Sequence, residues 1–286
     1  MAIYGSSTPV SKIVTEGFPV YAGSFLRVLV GFLVLLPFLI KERDTLKSIS
    51  KKDWMLLGVI SVIGVFLFSI FMLEGMKRVS GVVGSIVMST TPAVTALGAF
   101  LFYKESFGIR KILALALAVI GVVIINLSHG MDDGGISTGT LIIGSAMIFG
   151  AVLGEVCFTL VGKKVTDNLN PILITGITCV ISSLLFLPFA LYQMTEIDFS
   201  TLDASNIAAV LWWGAGTLAL GTVLWYSGIK LSKPGQAAIF MAVMPVSALV
   251  LSYVLLGEKF HWIHAVGFGI VLGSIFLATH KNKHQN

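Results

Sequence analysis

Charge is scarce in this 286-residue sequence: Asp, Glu, Lys and Arg together make up 12% of it. A soluble domain of this length needs roughly twice that fraction to keep its surface wet, so a soluble globular reading fails. Cysteine is scarcer still. Cys157 and Cys179 both fall within apolar runs, which excludes a disulfide framework and reads as two small core residues. No Walker-type glycine loop is present, so nucleotide hydrolysis by this chain is not expected. No basic segment precedes a short apolar stretch with a small-residue cleavage site, so no cleavable signal peptide is expected either. An intramembrane enzyme would need a convergent nucleophile and base or a metal cluster at membrane depth. Neither is evident: His261 and His264 have helical metal-compatible spacing but no third ligand, and read as an interfacial helix start. The expectation is no enzyme, no cofactor and no metal.

What is abundant is apolar length. Hydrophobic residues make up 56% of the chain, and the mean hydropathy is +0.95. Runs of about 20 apolar residues recur, the length that crosses about 30 Å of hydrocarbon at 1.5 Å per residue. The pattern predicts an all-α membrane protein of ten transmembrane helices. They fall near Ala2–Thr15, Tyr21–Ile40, Trp54–Leu73, Val79–Phe102, Ile109–Leu127, Gly139–Gly162, Pro171–Met194, Ile207–Ile229, Gln236–Leu256 and Trp262–Thr279. The first is short and starts almost at Met1. The net charge of +5 then reads as loop asymmetry rather than a nucleic-acid signal. With the N-terminus inside, Lys51, Lys52, Lys104, Arg110, Lys111, Lys163, Lys164 and Lys230 lie among the many basic residues of the cytoplasmic segments. Lys12, Lys77, Arg78 and Lys259 lie opposite, and Lys12 and Lys77 are expected to snorkel to the interface. Both termini are therefore expected in the cytoplasm.

A shift of 152–153 residues overlays the two halves: Pro19 on Pro171, Gly75 on Gly228, Lys77 on Lys230, Met88 on Met241, Pro92 on Pro245, Glu105 on Glu258 and Phe107 on Phe260. The repeated proline–glutamate spacing makes chance an unsatisfying explanation. Five spans per half is an odd number, so the second unit enters the membrane upside down. The expected organisation is two inverted five-helix repeats, residues 1–129 and 137–281. Such a molecule can close either face with equivalent elements, as alternating access requires. A duplication that merely built a stable bundle is the alternative.

These features resemble the EamA-type drug/metabolite transporter superfamily. The resemblance is carried by Gly5-Ser-Ser-Thr8-Pro9-Val-Ser-Lys12, Pro19 and Arg27. It continues in the proline-kinked helices ending at Leu101–Glu105 and Val254–Glu258, in Gly150-Ala-Val-Leu-Gly-Glu155 and in Gly162-Lys-Lys164. Tyr4 stands where many relatives carry tryptophan. The resemblance implies a two-repeat bundle whose substrate cavity is lined by helices one to four and six to nine, with the fifth and tenth peripheral. It also implies export of amino acids and other metabolites, or import of compounds such as choline, at an inner membrane.

Glu155 lies inside an apolar run, where an ionised carboxylate costs about 2.5–3.5 kcal/mol. It must face a cavity, bind a partner or hold a proton. Proton coupling, attraction of a cationic substrate and a structural hydrogen bond all remain open. Arg27 needs a carboxylate, carbonyls or water, and could serve a substrate carboxylate or a structural ion pair with Glu155. Pro92 and Pro245 free the carbonyls of Met88 and Met241, making either paired hinges or static kinks, with Thr91 placed to take a freed carbonyl or a ligand. Trp225 and Tyr226 fit an aromatic wall or an interface belt, and Trp212 and Trp213 the belt. Tyr4, Thr8, Met88 and Met241 complete the binding candidates. The partners expected are a small-molecule substrate and the lipid bilayer, without nucleic acid; a homodimer stays open. The leading reading is a secondary transporter exporting amino acids or related metabolites, with import of a cationic compound, an intramembrane enzyme or a channel as rivals.

Overall fold

A chain crossing hydrocarbon must satisfy its backbone hydrogen bonds internally, and apolar runs of this length do so as helices. In a computed structural model, the structure describes residues 1–103, 113, 116–117, 120, 137–195, 197, 202–231, 243–257 and 262–279. Every described element is a helix. A one-turn helix, Ala2–Gly5, leads into α1 (Ser7–Gly17). There follow α2 (Val20–Lys41), α3 (Lys51–Met76), α4 (Gly81–Tyr103), α5 (Thr138–Val165), α6 (Pro171–Met194) and α7 (Ala204–Leu231). Then come α8 (Val243–Leu256) and α9 (Trp262–Thr279). Six of these, α2 to α7, are long and apolar enough to cross a membrane. The sequence-predicted span Ile109–Leu127 and the start of Gln236–Leu256 lie outside the described residues.

Helix starts follow side-chain chemistry. Ser50, Ser80, Ser137 and Asn170 each accept a hydrogen bond from a first-turn N–H of the helix they precede. Asp203 and Asn206 form a capping box at α7. Other ends are finished from neighbouring helices. Gln193 Oε1, at the end of α6, accepts from Tyr21 N (2.8 Å) and Ala22 N (3.3 Å) at the start of α2. Lys12 Nζ donates to Met76 O (2.7 Å) and Val79 O (3.0 Å), closing orphan carbonyls at the end of α3. Lys12 thus caps α3 instead of snorkelling as expected, because its ammonium reaches both carbonyls. Lys77 pairs with Glu74 at 3.7 Å.

Two interruptions shape the interior. In α3, residues Ile60–Leu67 wind as a π-helix, and in α7 residues Trp212–Gly221 do the same. The wider turn leaves carbonyls for hydroxyls: Ser61 Oγ donates to Leu57 O, Thr217 Oγ1 to Trp213 O, and Ser182 of α6 to Ser61 O. Moving α3's π segment forward by the repeat offset lands it within that of α7. The bounds of α2 and α3, so moved, fall within two residues of those of α6 and α7.

Helix contacts also come in matched pairs: α3 on α5 and α1 on α7, α4 on α5 and α1 on α8, α3 on α6 and α2 on α7. The self-related pairs are α2 on α6 and α4 on α8, and α9 lies against α4. Close approach of α3 and α5 is set by glycine. A Cβ at Gly154 would stand 2.9 Å from Ile63 O, and one at Gly64 would stand 2.8 Å from Phe158 Cβ. A Cβ at Gly269 or Gly273 of α9 would meet nothing within 4 Å among the described residues. The exterior is apolar, with Leu101, Leu184 and Val254 each more than 60% exposed, as a lipid-facing surface requires.

Candidate functional site

The helices line a central, partly open cavity, about 770 Å³ of space with open solvent included, to which the one-turn helix and α1, α2, α3, α4, α5, α7 and α8 all contribute side chains. The contributors follow helical arithmetic: residues three and four apart share a face. Tyr4, Ser7 and Thr8 form one stripe, Ser85, Met88 and Ser89 a second, and Glu155, Phe158 and Thr159 a third; Leu218, Thr222 and Trp225 form the stripe of α7.

Arg27 is 5% exposed, yet it lines the cavity. Its guanidinium lies over the Trp213 ring, 4.2 Å from the centroid, with the Phe68 ring at 5.3 Å. Nη1 donates to Ser69 Oγ at 3.0 Å. Among the described residues its Nε–H has no hydrogen-bond partner, nor does Ser24 Oγ, one turn earlier on α2. Buried donors are normally satisfied, so this end of the cavity has capacity for an acceptor. Trp213 belongs to this arrangement rather than to an interface belt: it is fully buried, and its indole N–H donates to Ser7 Oγ at 2.7 Å. Trp212 is 46% exposed and donates to Ser6 Oγ.

Glu155 reaches the cavity from α5, half-buried, with Oε2 3.3 Å from Thr91 Oγ1. The ion pairs among the described residues are Lys47–Asp44, Lys77–Glu74 and Arg78–Glu74. Arg27 and Glu155 therefore share the cavity without pairing, and the structural ion pair open from the sequence is not formed. Each keeps its charge-bearing end available to something else.

The Pro92 break is visible. Helix α4 turns at Ser89 and Thr90, between Gly81–Met88 and Thr91–Tyr103. Three consecutive hydroxyls close the carbonyls there: Ser89 Oγ donates to Ile86 O (2.5 Å), Thr90 Oγ1 to Val87 O (2.8 Å), and Thr91 Oγ1 to Met88 O (2.7 Å). Met88 is the residue whose carbonyl Pro92 leaves without an N–H partner.

Of the remaining sequence candidates, Tyr4 lines the cavity and donates to Thr222 Oγ1 at 2.9 Å. Thr8, Met88 and Trp225 also line it. Tyr226 stands behind the wall: it is fully buried, stacked on Phe158 at 5.1 Å and donating to Phe158 O. Met241 lies outside the described residues. Pro245 is the third residue of α8, and the residues preceding Val243, on which a hinge there depends, are also outside. Sequence reasoning missed Ser7, Phe68, Ser85, Phe158, Thr159 and Thr222. Counting three and four residues on from Glu155 finds Phe158 and Thr159; nothing comparable singles out Phe68 in a wholly apolar run.

The uncharacterized transporter YetK of Bacillus subtilis is 37% identical over all of this chain and 86% of its own length. An uncharacterized transporter of Archaeoglobus fulgidus is 25% identical over all of this chain and 96% of its own. A solved crystal structure with 15% identity superposes with a TM-score of 0.66 over 97% of this chain and 95% of that one, a likeness of fold. Residues 1–127 and 142–279 match the EamA-like transporter family. On that match and the likeness to YetK, the chain belongs to the EamA-like transporter family, whose members are multi-pass membrane transporters.

Proposed function

We propose that the protein is a secondary transporter that exports a zwitterionic amino acid or a related metabolite by alternating access. The observation that carries this reading is the contact that is absent among the described residues: Arg27 and Glu155 line one cavity without forming an ion pair. A zwitterion supplies a carboxylate for the free Arg27 Nε–H and an ammonium for Glu155.

Alternating access rests on two inverted five-helix repeats, residues 1–129 and 137–281, in a ten-helix chain with both ends on the cytoplasmic side of the inner membrane. Three observations support the repeat. The π segments coincide at the offset, the helix contacts come in related pairs, and the family match breaks between residues 127 and 142. The chain acts as a carrier, not as an enzyme.

Import of a cationic compound such as choline is the second reading, favoured by Trp225 and Phe158 lining the same cavity as Glu155. Counter-flow separates the two. Purified protein in liposomes preloaded with single unlabelled amino acids or amines should accelerate uptake of the matching labelled solute, with saturation. Acceleration by zwitterions that is lost in Arg27→Gln supports the first reading. Acceleration by quaternary amines alone, indifferent to Arg27→Gln, supports the second. Linear, unsaturable flux contradicts both.

A further inference from the structure

Thr91 occupies a position that a single hydroxyl serves in only one way at a time. Its Oγ1 lies 2.7 Å from Met88 O and 3.3 Å from Glu155 Oε2. A threonine hydroxyl carries one proton and two lone pairs, so it donates to one of these oxygens and accepts from the other, or leaves the other unserved. Both competing oxygens matter. Met88 O is the carbonyl orphaned by Pro92 at the break in α4, and Glu155 is the acidic group of the cavity. An unserved carbonyl at membrane depth carries a desolvation cost, as does an unserved carboxylate.

We infer that Thr91 couples the protonation of Glu155 to the break in α4. With Glu155 protonated, the carboxyl donates to Thr91 Oγ1 and Thr91 donates to Met88 O, so all three groups are satisfied and the break is held. When Glu155 releases its proton to cavity water, its carboxylate needs a donor. A rotation about the Thr91 Cβ–Oγ1 bond turns the hydroxyl proton from Met88 O to Oε2. Met88 O then loses its partner, and the two halves of α4 are free to move about Pro92. Met88 lines the cavity, so water or the ammonium of a bound solute can serve the freed carbonyl.

Among the described residues, the ionisable side chains sharing the cavity with Glu155 are Arg27 on α2 and Tyr4; α3, α4, α7 and α8 present hydroxyl, thioether, aromatic and aliphatic side chains there. Arg27, held by Ser69 and the two aromatic rings, does not release the carboxylate from its need for a hydrogen-bond donor. This inference rests on the transport reading only for its use; the switch itself is a property of the empty protein.

Amide hydrogen exchange, followed by mass spectrometry on the full chain in nanodiscs and corrected for the intrinsic pH dependence of exchange, tests it without any solute. In the wild type, exchange across residues 89–95 should rise about fivefold as pH is raised through the Glu155 titration, the effect of losing one ordinary hydrogen bond. Glu155→Gln should stay at the slow level at every pH, because the amide can donate to Thr91 permanently. Thr91→Val should exchange fast and without pH dependence, and Thr91→Ser should restore the wild-type profile. Retention of the pH step in Glu155→Gln, or a wild-type profile in Thr91→Val, overturns the switch. Solute counter-flow by the same preparation separates the two proposals. A pH step without counter-flow counts against transport and leaves the switch, whereas counter-flow with pH-independent exchange does the reverse.

Discussion

Arg27 concentrates the chemistry of one end of the cavity in a single side chain. Its planar guanidinium stacks on Trp213 while Nη1 holds Ser69 and Nε stays free. A lysine ammonium is a point charge and cannot do all three. Arg27→Lys should therefore lower zwitterion counter-flow about tenfold or more, the loss of one charge-assisted hydrogen bond, while leaving folding intact; unchanged initial rates would remove Arg27 from the site. Trp213→Phe should cost about 1 kcal/mol of stability, measured by thermal unfolding in detergent, since it removes a donor between helices and weakens the stacked cation. An unchanged midpoint would return Trp213 to a passive role.

Glu155, Arg27 and Thr91 were legible in the sequence because a charge or a proline in an apolar run is costly and conspicuous. Phe68 and Ser85 were not, because one more phenylalanine or serine in a membrane helix carries no such cost. Trp213 was misread because a tryptophan pair near a helix end fits an interface belt by composition alone.

At the scale of the element, helix limits were recovered closely, since apolar length and polar punctuation are set by the bilayer. The predicted break at Pro92 falls at Ser89 and Thr90, and the hydroxyls beside it do the capping that their spacing allowed. The π segments were invisible: a wider turn leaves no signature in composition, and it appears only where hydroxyls and a neighbouring helix take up its carbonyls. Glycines differ in what they pack against. Gly154 meets a backbone carbonyl of α3, whereas Gly273 meets nothing among the described residues. Gly154→Ala should accordingly destabilise the bundle by about 1–3 kcal/mol through overpacking, while Gly273→Ala should leave the thermal midpoint where it is. Equal effects at both would contradict the packing described for α3 and α5.

For the whole molecule, the claim is that one cavity reaches water from each side of the membrane in turn, through two units that enter the membrane in opposite senses. The expectation of two inverted units came from an odd span count and a repeated proline–glutamate spacing, whereas the identity of the solute was not legible, because Arg27 and Glu155 define polar groups and leave shape to apolar side chains. The direct test is the accessibility of a single cysteine on the cavity wall. With Cys157→Ser and Cys179→Ala as background, Thr222→Cys is exposed to a membrane-impermeant maleimide in right-side-out and in inside-out vesicles. The account predicts labelling from both faces, with a cross-link that locks one face closed abolishing labelling from that face alone. Labelling from neither face, or from both at once in the locked protein, would contradict it.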